Sequence, residues 1–277
     1  MKLLDDYSIE MTGKDVPALE EARNSIPQGT RINVTFLGNE DLKMRVTASK
    51  AVREFGFVPI PHVSARRLAS QEALDEFLVA LQGVQAIEKV FVVGGDPAVP
   101  EGPYASSAEV IQTGLLPGYG VKEVNIAGYP EGHPDITDEQ LWEALESKNK
   151  ALLEQGLDGV ILTQFSFDVD PVFTWLEEVR KRGINLPIRL GIPGPAGIKR
   201  LLGYARRFGV GSSATIVAKY GMSLTNLLGT AGPDKFLRAL SDGYDPAKHG
   251  EVKLHFYAFG GLKTTADWIT KFDAETK

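Results

Sequence analysis

The stretch Lys89-Val-Phe-Val-Val-Gly-Gly-Asp96 is a short apolar run that ends in two glycines and a carboxylate. Its apolar residues do not alternate with polar ones, which is typical of a parallel strand covered on both faces. The same succession of a β-branched run, a turn and an amphipathic segment recurs along the chain, and it predicts eight strands. They are Tyr7–Thr12, Arg31–Leu37, Val58–Ser64, Lys89–Gly95, Glu123–Tyr129, Gly159–Ser166, Pro187–Ile192 and Val252–Phe259.

Helical patterns lie between these strands. The best defined are Asp41–Phe55, Gln71–Leu81, Asp138–Gln155, Pro171–Arg182 and Ile198–Phe208. Strands that alternate with helices imply a parallel sheet with right-handed crossovers. Eight such units in 277 residues predict an α/β fold of the (β/α)8 TIM-barrel type, with an open doubly wound sheet as the alternative. We expect a single domain over residues 1–277, with an extra helical segment within Ser212–Gly250, before the last strand.

The composition excludes several functions. A net charge of −6 argues against non-specific nucleic-acid binding, which needs a surplus of Lys and Arg. The chain has no cysteine, which excludes disulfides and thiolate sites and fits a reducing cytoplasm. Met1–Glu10 has three acidic residues and no apolar core of a signal peptide, and no run of 18 apolar residues predicts a membrane span.

Polar residues recur where the predicted strands end. In a TIM barrel the carboxyl ends of the strands meet at one mouth, where catalytic groups lie. The strand-end residues are Glu10, Thr35, His62, Asp96, Tyr129 with His133, Gln164 and the loop Gly191–Gly197. A single polar residue at a strand end is usually a cap or turn residue, but polar residues at six strand ends around one mouth predict a site.

Two carboxylates have both a structural and a catalytic interpretation. Glu10 is either an outward polar position of the first strand or an acid in a partly apolar pocket, where it keeps its proton and donates it near neutral pH. Asp96 is either a turn former before Pro97 or a ligand-binding carboxylate beside two glycines that allow close approach. The four histidines lack metal-ligand spacing, so we expect no metal site. The Gly191–Gly197 loop resembles a phosphate-binding loop only weakly.

Two longer blocks resemble one known family. Ala127-Gly-Tyr-Pro-Glu-Gly-His-Pro134 and Leu162-Thr-Gln-Phe-Ser-Phe-Asp-Val169 are similar to blocks of the methylenetetrahydrofolate reductases. Shorter matches follow in the same order along the chain. They are Ser8-Ile-Glu10, Val34-Thr-Phe36, Pro61-His-Val63, Gly95-Asp-Pro97, Tyr104-Ala-Ser106 and His255-Phe-Tyr257.

The resemblance implies that NADH or NADPH reduces FAD, and that the flavin reduces 5,10-methylenetetrahydrofolate to 5-methyltetrahydrofolate. It further implies that Glu10 is the general acid, that Asp96 contacts the pterin and tunes the flavin, and that Gln164 binds and orients folate. The implied flavin-binding residues are Thr35, His62, Asp96, Tyr104, Ala105, Tyr129, His133 and Lys150, with Lys148 as the alternative lysine. The implied context is one-carbon metabolism and methionine biosynthesis in the cytoplasm, and the sequence leaves a homo-oligomer open.

The chain departs from the family pattern at three places. Gly94 stands where the family has an arginine near the flavin phosphates, and Phe259-Gly-Gly261 replaces a Leu-Asn-Arg block near the glutamyl tail. The first strand also reads Ile-Glu-Met-Thr in place of Phe-Glu-Phe-Phe-Pro. We therefore expect FAD to bind loosely, since arginine is the best phosphate partner. A folate-dependent methyltransferase or pterin-binding barrel and a non-catalytic folate-binding accessory subunit are the alternative functions.

Overall fold

A barrel of parallel strands forms the centre of the fold in the computed structural model, which describes residues 4–210 and 230–276. The strands are β1 (Ser8–Met11), β2 (Arg31–Val34), β3 (Val58–Ser64), β4 (Lys89–Val93), β5 (Glu123–Gly128), β6 (Asp158–Phe165), β7 (Ile188–Pro193), β8 (Ala196–Gly197), β9 (Thr230–Ala231) and β10 (Val252–Tyr257). The barrel closes in the order β1-β10-β7-β6-β5-β4-β3-β2, whereas β8 and β9 pair separately. The predicted TIM barrel is confirmed, and the open sheet is wrong.

Helices connect the strands on the outside of the barrel. They are α1 (Val16–Ala22), α2 (Leu42–Glu54), α3 (Gln71–Gly83), α4 (Ser107–Gln112), α5 (Asp138–Glu154), α6 (Val169–Lys181), α7 (Ile198–Phe208), α8 (Asp234–Gly243), α9 (Pro246–His249) and α10 (Leu262–Thr276). The extra helical segment before the last strand is confirmed by α8 and α9, while positions 212–229 of that prediction lie outside the described residues. Over residues 4–210 and 230–276, no helix has the length and apolar character that crossing a bilayer requires.

The two faces of the barrel strands differ in chemistry. On β5 and β10, Ile126 and Leu254 are fully buried and belong to the large core between strands and helices. Their neighbours Asn125 and His255 are equally buried but face the interior, because successive strand residues point to opposite faces. The barrel is therefore held together by an outer apolar layer and has a largely polar interior. A small apolar cluster of Ile60, Phe91 and Leu162 packs inside it.

Charged residues fill the N-terminal end of the barrel. Glu123 on β5 accepts hydrogen bonds from Arg31 on β2 at 2.5 Å and from Lys89 on β4 at 2.7 Å. Since β2 and β5 are not neighbours in the barrel, the Arg31 contact crosses the interior. Arg189 on β7 donates to Asp6 at 2.6 Å. These ion pairs occupy the bottom of the barrel and leave the C-terminal end for a cavity.

Capping boxes fix two of the loops at the C-terminal end. Ser106 caps α4 and exchanges hydrogen bonds with Glu109, while Thr137 caps α5 and exchanges them with Gln140. In such a box two otherwise unpaired backbone N–H groups are satisfied. The two helices therefore begin at defined residues. This restricts the conformations of the loops before them, which carry several of the predicted site residues.

Candidate active site

A cavity of about 540 Å³ opens at the C-terminal ends of the strands. Residues of β1, β3, β4, β5, β6 and β10 line it, together with residues of the loops after β1, β2, β5 and β10, and α7 contributes one wall. Five of the predicted site residues meet there: Glu10, Thr35, His62, Tyr129 and Gln164. Two larger grooves, of about 840 and 880 Å³, lie outside the barrel, and neither is lined by a histidine.

Glu10 lies between two imidazoles at the bottom of this cavity. Its Oε2 is 3.8 Å from Nε2 of His62 and 3.7 Å from Nε2 of His255, and 20% of its side chain is exposed. The register places Glu10 beside Asn33 of β2 and Tyr257 of β10. Glu10 thus faces the interior, and the alternative of an outward polar position is wrong. The carboxyl group can exchange a proton with a ligand in the cavity.

Both histidines are neutral at pH 7. Burial lowers the pKa of His62 to about 4, although Glu10 opposes this shift and His255 adds to it. Burial also lowers the pKa of His255, against the opposing effect of Glu10. Desolvation disfavours the charged imidazolium more than one nearby carboxylate favours it. Glu10 therefore has two uncharged imidazoles as neighbours.

Gln164 reaches the cavity through an irregularity in β6. The register between β6 and β7 shifts between Leu162 and Phe165, and such a bulge changes the direction of a side chain. Oε1 of Gln164 accepts a hydrogen bond from the backbone N–H of Phe165 at 3.1 Å. Its Nε2 has no hydrogen-bond partner within residues 4–210 and 230–276. This amide is therefore available to donate to an acceptor in the cavity.

Tyr257 crosses β7 to reach β6. Its hydroxyl donates to the carbonyl of Thr163 at 3.0 Å, and burial raises its pKa well above its usual value. This path requires Gly191 on the strand between them, because a Cβ there would lie 2.4 Å from the Thr163 carbonyl and 2.8 Å from the Tyr257 ring. The backbone N–H of Gly194 donates to the Tyr257 carbonyl at 2.8 Å. That amide of the suggested phosphate-binding loop is thus bonded to β10.

Aromatic residues form one wall of the cavity. Tyr204 of α7 stacks on Phe259 with ring centroids 4.0 Å apart. Phe165 contacts both Phe208 and Phe259 edge to face, at 5.7 and 5.2 Å. Arg207 of α7 adds a cation to the same lining. These rings offer flat apolar faces against which a heteroaromatic ligand can stack.

Asp96 does not line the cavity. It follows β4 on an exposed loop, where Oδ1 accepts hydrogen bonds from Nε and Nη2 of Arg67 at 2.9 and 2.6 Å. About 67% of its side chain is exposed. Gly95 has φ +97°, and Ser64 would lie 2.2 Å from a Cβ at that position. The loop therefore turns away from the cavity and brings Asp96 to Arg67.

The residues predicted to bind a flavin fall into two groups. Thr35, His62 and Tyr129 line the cavity, and His133 lies beside them with its ring 5.5 Å from that of Tyr129. Tyr104 and Ala105 lie elsewhere. Tyr104 is buried in the large core outside the barrel, and Ala105 hydrogen-bonds to Arg66 and Glu109.

Neither candidate lysine reaches the cavity. The side chain of Lys150 is 74% exposed and forms an i,i+4 pair with Glu154 at 3.8 Å. Lys148 is buried, and its Nζ donates to the carbonyl of Ala127 at 3.3 Å. Burial lowers the pKa of this amine to about 8. The structure thus brings neither cation to the position that a pyrophosphate would require.

The cavity suits the ring system of a flavin better than its phosphates. Oγ1 of Thr35 is buried without a hydrogen-bond partner among the described residues, and it shares the cavity with the Gln164 amide and the apolar side chains of Phe91 and Leu162. Flat apolar surface with a few directed polar groups is typical of a cofactor site. The isoalloxazine ring therefore fits the residues present, whereas the two lysines do not gather around a phosphate.

Several residues in and under the cavity are not among the predicted site residues. Ser8 and His255 lie on strands whose polar positions alternate with apolar ones, and this period of two is the signal that places them in the interior. Tyr204, Arg207 and Phe208 belong to α7, so the positions of the strand ends do not reveal them. The polar residues of the interior could thus have been found from the sequence, but the α7 wall could not.

Comparison with known proteins gives a consistent result. The sequence profile of the family described as "Methylenetetrahydrofolate reductase" matches residues 18–211. A maize protein named "Methylenetetrahydrofolate reductase (NADH) 1" is 29% identical in an alignment of 151 residues, which covers 50% of this chain and 25% of the maize protein. The yeast "Methylenetetrahydrofolate reductase 2" is 36% identical over 87 residues, 30% of this chain and 13% of that protein. The chain matches only a quarter or less of these relatives' lengths.

Solved structures resemble the barrel. A dihydropteroate synthase from Thermus thermophilus aligns with a TM-score of 0.51 and 14% identity, covering 98% of this chain and 94% of the synthase. A thermostable aldo-keto reductase aligns with a TM-score of 0.51 and 14% identity, covering 97% of this chain and 90% of the reductase. At this level of identity the likeness shows the fold alone.

Proposed function

This chain belongs to the methylenetetrahydrofolate reductase family, and from that premise we propose that it reduces 5,10-methylenetetrahydrofolate to 5-methyltetrahydrofolate. The observation that carries the proposal is the carboxyl group of Glu10 inside the cavity, between two neutral histidines. The product would serve methionine biosynthesis, within one-carbon metabolism in the cytoplasm.

The reaction needs one proton and one hydride. The methylene carbon of the substrate bridges two nitrogens, and reduction breaks one of these C–N bonds. The departing nitrogen takes a proton and the carbon takes the hydride, so that the remaining carbon is a methyl group. We assign the proton to Glu10, because it is a partly exposed acid at the bottom of the cavity, and a positioned acid contributes roughly 10²–10⁴-fold.

We assign the pterin to the space between Gln164 and the aromatic wall. Nε2 of Gln164, which has no partner among the described residues, can donate to a ring nitrogen or carbonyl, and Phe259 with Tyr204 presents a stacked face. This arrangement would hold the ring in one orientation, with its bridging carbon within reach of Glu10. A uniform apolar cavity would give no such orientation.

We propose FAD as the cofactor and NADH or NADPH as the reductant. Bound FAD would supply a group that takes up a hydride from the nicotinamide and returns it to the folate. Thr35, His62 and Tyr129 would hold the ring by hydrogen bonds and contacts within the cavity. The name of the maize relative, which includes NADH, favours NADH over NADPH.

An absorbance spectrum and a coupled assay test this function. We expect a flavin spectrum after FAD is added, and NADH oxidation that depends on 5,10-methylenetetrahydrofolate, with 5-methyltetrahydrofolate identified by chromatography. A colourless protein that still forms this product would be a reductase acting by direct hydride transfer. Absence of product with saturating FAD and either nucleotide would contradict the proposal and leave non-catalytic folate binding.

A further inference from the structure

We propose that Ser8 and His255 are a positioning pair that keeps the proton on Glu10 until the substrate takes it. The inference rests on the proposed function, because it assigns Glu10 the role of acid. Ser8 and His255 face each other on the neighbouring strands β1 and β10. Both side chains are fully buried, so neither exchanges protons directly with solvent.

The hydrogen bonds of Ser8 select one form of the His255 ring. Oγ of Ser8 lies 2.9 Å from Nδ1 of His255 and 3.4 Å from the carbonyl of Leu254. A hydroxyl has one proton. If that proton goes to the Leu254 carbonyl, Oγ accepts from Nδ1–H, and both contacts are satisfied. This arrangement places the ring proton on Nδ1 and leaves Nε2 as a bare acceptor.

The bare nitrogen faces Glu10. Nε2 of His255 has no hydrogen-bond partner in the described part of the chain, and Oε2 of Glu10 is 3.7 Å away. A protonated carboxyl can donate to this nitrogen after a small approach. An ionised carboxylate would instead meet a lone pair, which is unfavourable in a buried site. The pair therefore favours the protonated acid.

His62, on the opposite side of Glu10 from His255, also favours the protonated carboxyl group. Nε2 of His62 is 3.3 Å from Nδ2 of Asn33. Because the amide nitrogen of Asn33 is a donor, Nε2 of His62 is the acceptor. The same Nε2 lies 3.8 Å from Oε2 of Glu10. Among the described residues, the charge of Arg189 also lowers the pKa of His255, and the charge of Glu10 raises the pKa of Tyr257. Because burial keeps both imidazoles neutral, neither supplies the positive charge that would draw the proton from Glu10.

Substitution of Ser8 by alanine tests the pair. In Ser8→Ala the ring can place its proton on Nε2 and donate to the Glu10 carboxylate. We expect the alkaline limb of the pH profile for folate reduction to move to lower pH by about one unit, a loss of roughly tenfold at a fixed pH on that limb. Oxidation of NADH by an artificial acceptor should keep its profile. Ser49→Ala removes another buried serine hydroxyl, one that donates within α2, and should change neither profile.

Nitrogen-15 NMR of the histidine rings gives a readout that needs no activity. We expect the His255 signals to show the Nδ1–H form in the wild type and the Nε2–H form in Ser8→Ala. An Nε2–H form in the wild type, or an unmoved alkaline limb in Ser8→Ala, would overturn the positioning role. A wild type that forms no methyl product would contradict the proposed function instead, and the NMR comparison would still decide the state of the pair.

Discussion

Nη2 of Arg67 lies 2.6 Å from Oδ1 of Asp96, at the rim of the barrel and outside the cavity. Arg67 also lies 3.5 Å from Glu101, so the turn after β3 holds the loop after β4 at two points. If Asp96 contacts the pterin, as the family pattern implies, it must first leave this ion pair. The free energy of the pair then opposes folate binding.

Arg67→Met should therefore lower the KM for folate. An exposed ion pair contributes about 0.2–1 kcal/mol, so we expect a change of up to about fivefold in steady-state kinetics. Lys122→Met breaks an exposed ion pair with Glu88 outside the site and should leave the KM unchanged. An unchanged KM in Arg67→Met would mean that Asp96 serves the loop and not the substrate.

Glu10→Gln should abolish most folate reduction. The amide keeps the size of the side chain but cannot donate an acidic proton, so we expect a loss of roughly 10²-fold or more. Circular dichroism and FAD binding should be unchanged, because the amide fills the same volume between the two histidines. Near-normal turnover by this variant would show that another group supplies the proton.

Gln164→Ala separates folate binding from nicotinamide oxidation. The variant loses the amide that faces the cavity, and a neutral hydrogen bond contributes about 0.5–1.5 kcal/mol. We expect a rise of roughly twofold to tenfold in the folate KM, with a smaller change in NADH oxidation by an artificial acceptor. Equal losses in both reactions would indicate that Gln164 supports the bulge in β6 and has no direct role in binding.

Gly94→Arg should tighten FAD binding. A Cβ at position 94 would have no atom within 4 Å, so the side chain has room, and a charge-assisted hydrogen bond contributes about 1.5–3 kcal/mol. We expect the Kd in a fluorescence titration to fall roughly tenfold to a hundredfold, while Gly94→Ala, which adds no cation, leaves it unchanged. If the wild type shows neither binding nor stimulation at saturating FAD, direct hydride transfer from NADH becomes the better account.

The low pKa of His62 predicts a pH-dependent stability. Its folded pKa is about 4 and its unfolded value about 6.5, so the unfolded chain binds more protons between these values. The free energy of unfolding is therefore not reduced by His62 above pH 6.5, and it decreases as the pH falls from 6.5 towards 4, because the unfolded chain then takes up the proton. Urea unfolding at several pH values should show that the free energy of unfolding decreases less with falling pH in His62→Asn than in the wild type. His133 is less buried, so the free energy of unfolding of His133→Asn should depend on pH as it does in the wild type. The same dependence on pH in all three proteins would contradict the burial argument.

The fold could be predicted from the sequence because its signal is local. Each strand is a short apolar run and each helix has its own period, so the eight predicted barrel strands lie within a few residues of the observed ones. Glu10, His62 and Gln164 could be predicted because they lie at the ends of strands that the local pattern reveals, and the order of the strands fixes where each residue lies around the mouth of the barrel. In a closed barrel that position is enough to bring such residues together.

The direction of the loops could not be predicted. Asp96 follows its strand as expected, but its pairing with Arg67, 29 residues earlier, depends on how two loops meet. Lys150 lies on the expected helix, but its side chain is on the exposed face and not on a face towards the cavity. Strand ends do not reveal the residues of α7 that line the cavity, because these residues reach it from a helix. Contacts of this kind depend on tertiary packing, which no local pattern encodes.

The polar interior of the barrel has a consequence for how such a protein changes over time. The apolar layer that holds the strands, including Ile126 and Leu254, faces the helices, whereas Asn125 and His255 on the same strands face the interior. Selection on folding therefore acts mainly on one set of alternate positions, and selection on chemistry acts on the other. A descendant can exchange interior residues and acquire a new reaction while it inherits the outer layer unchanged.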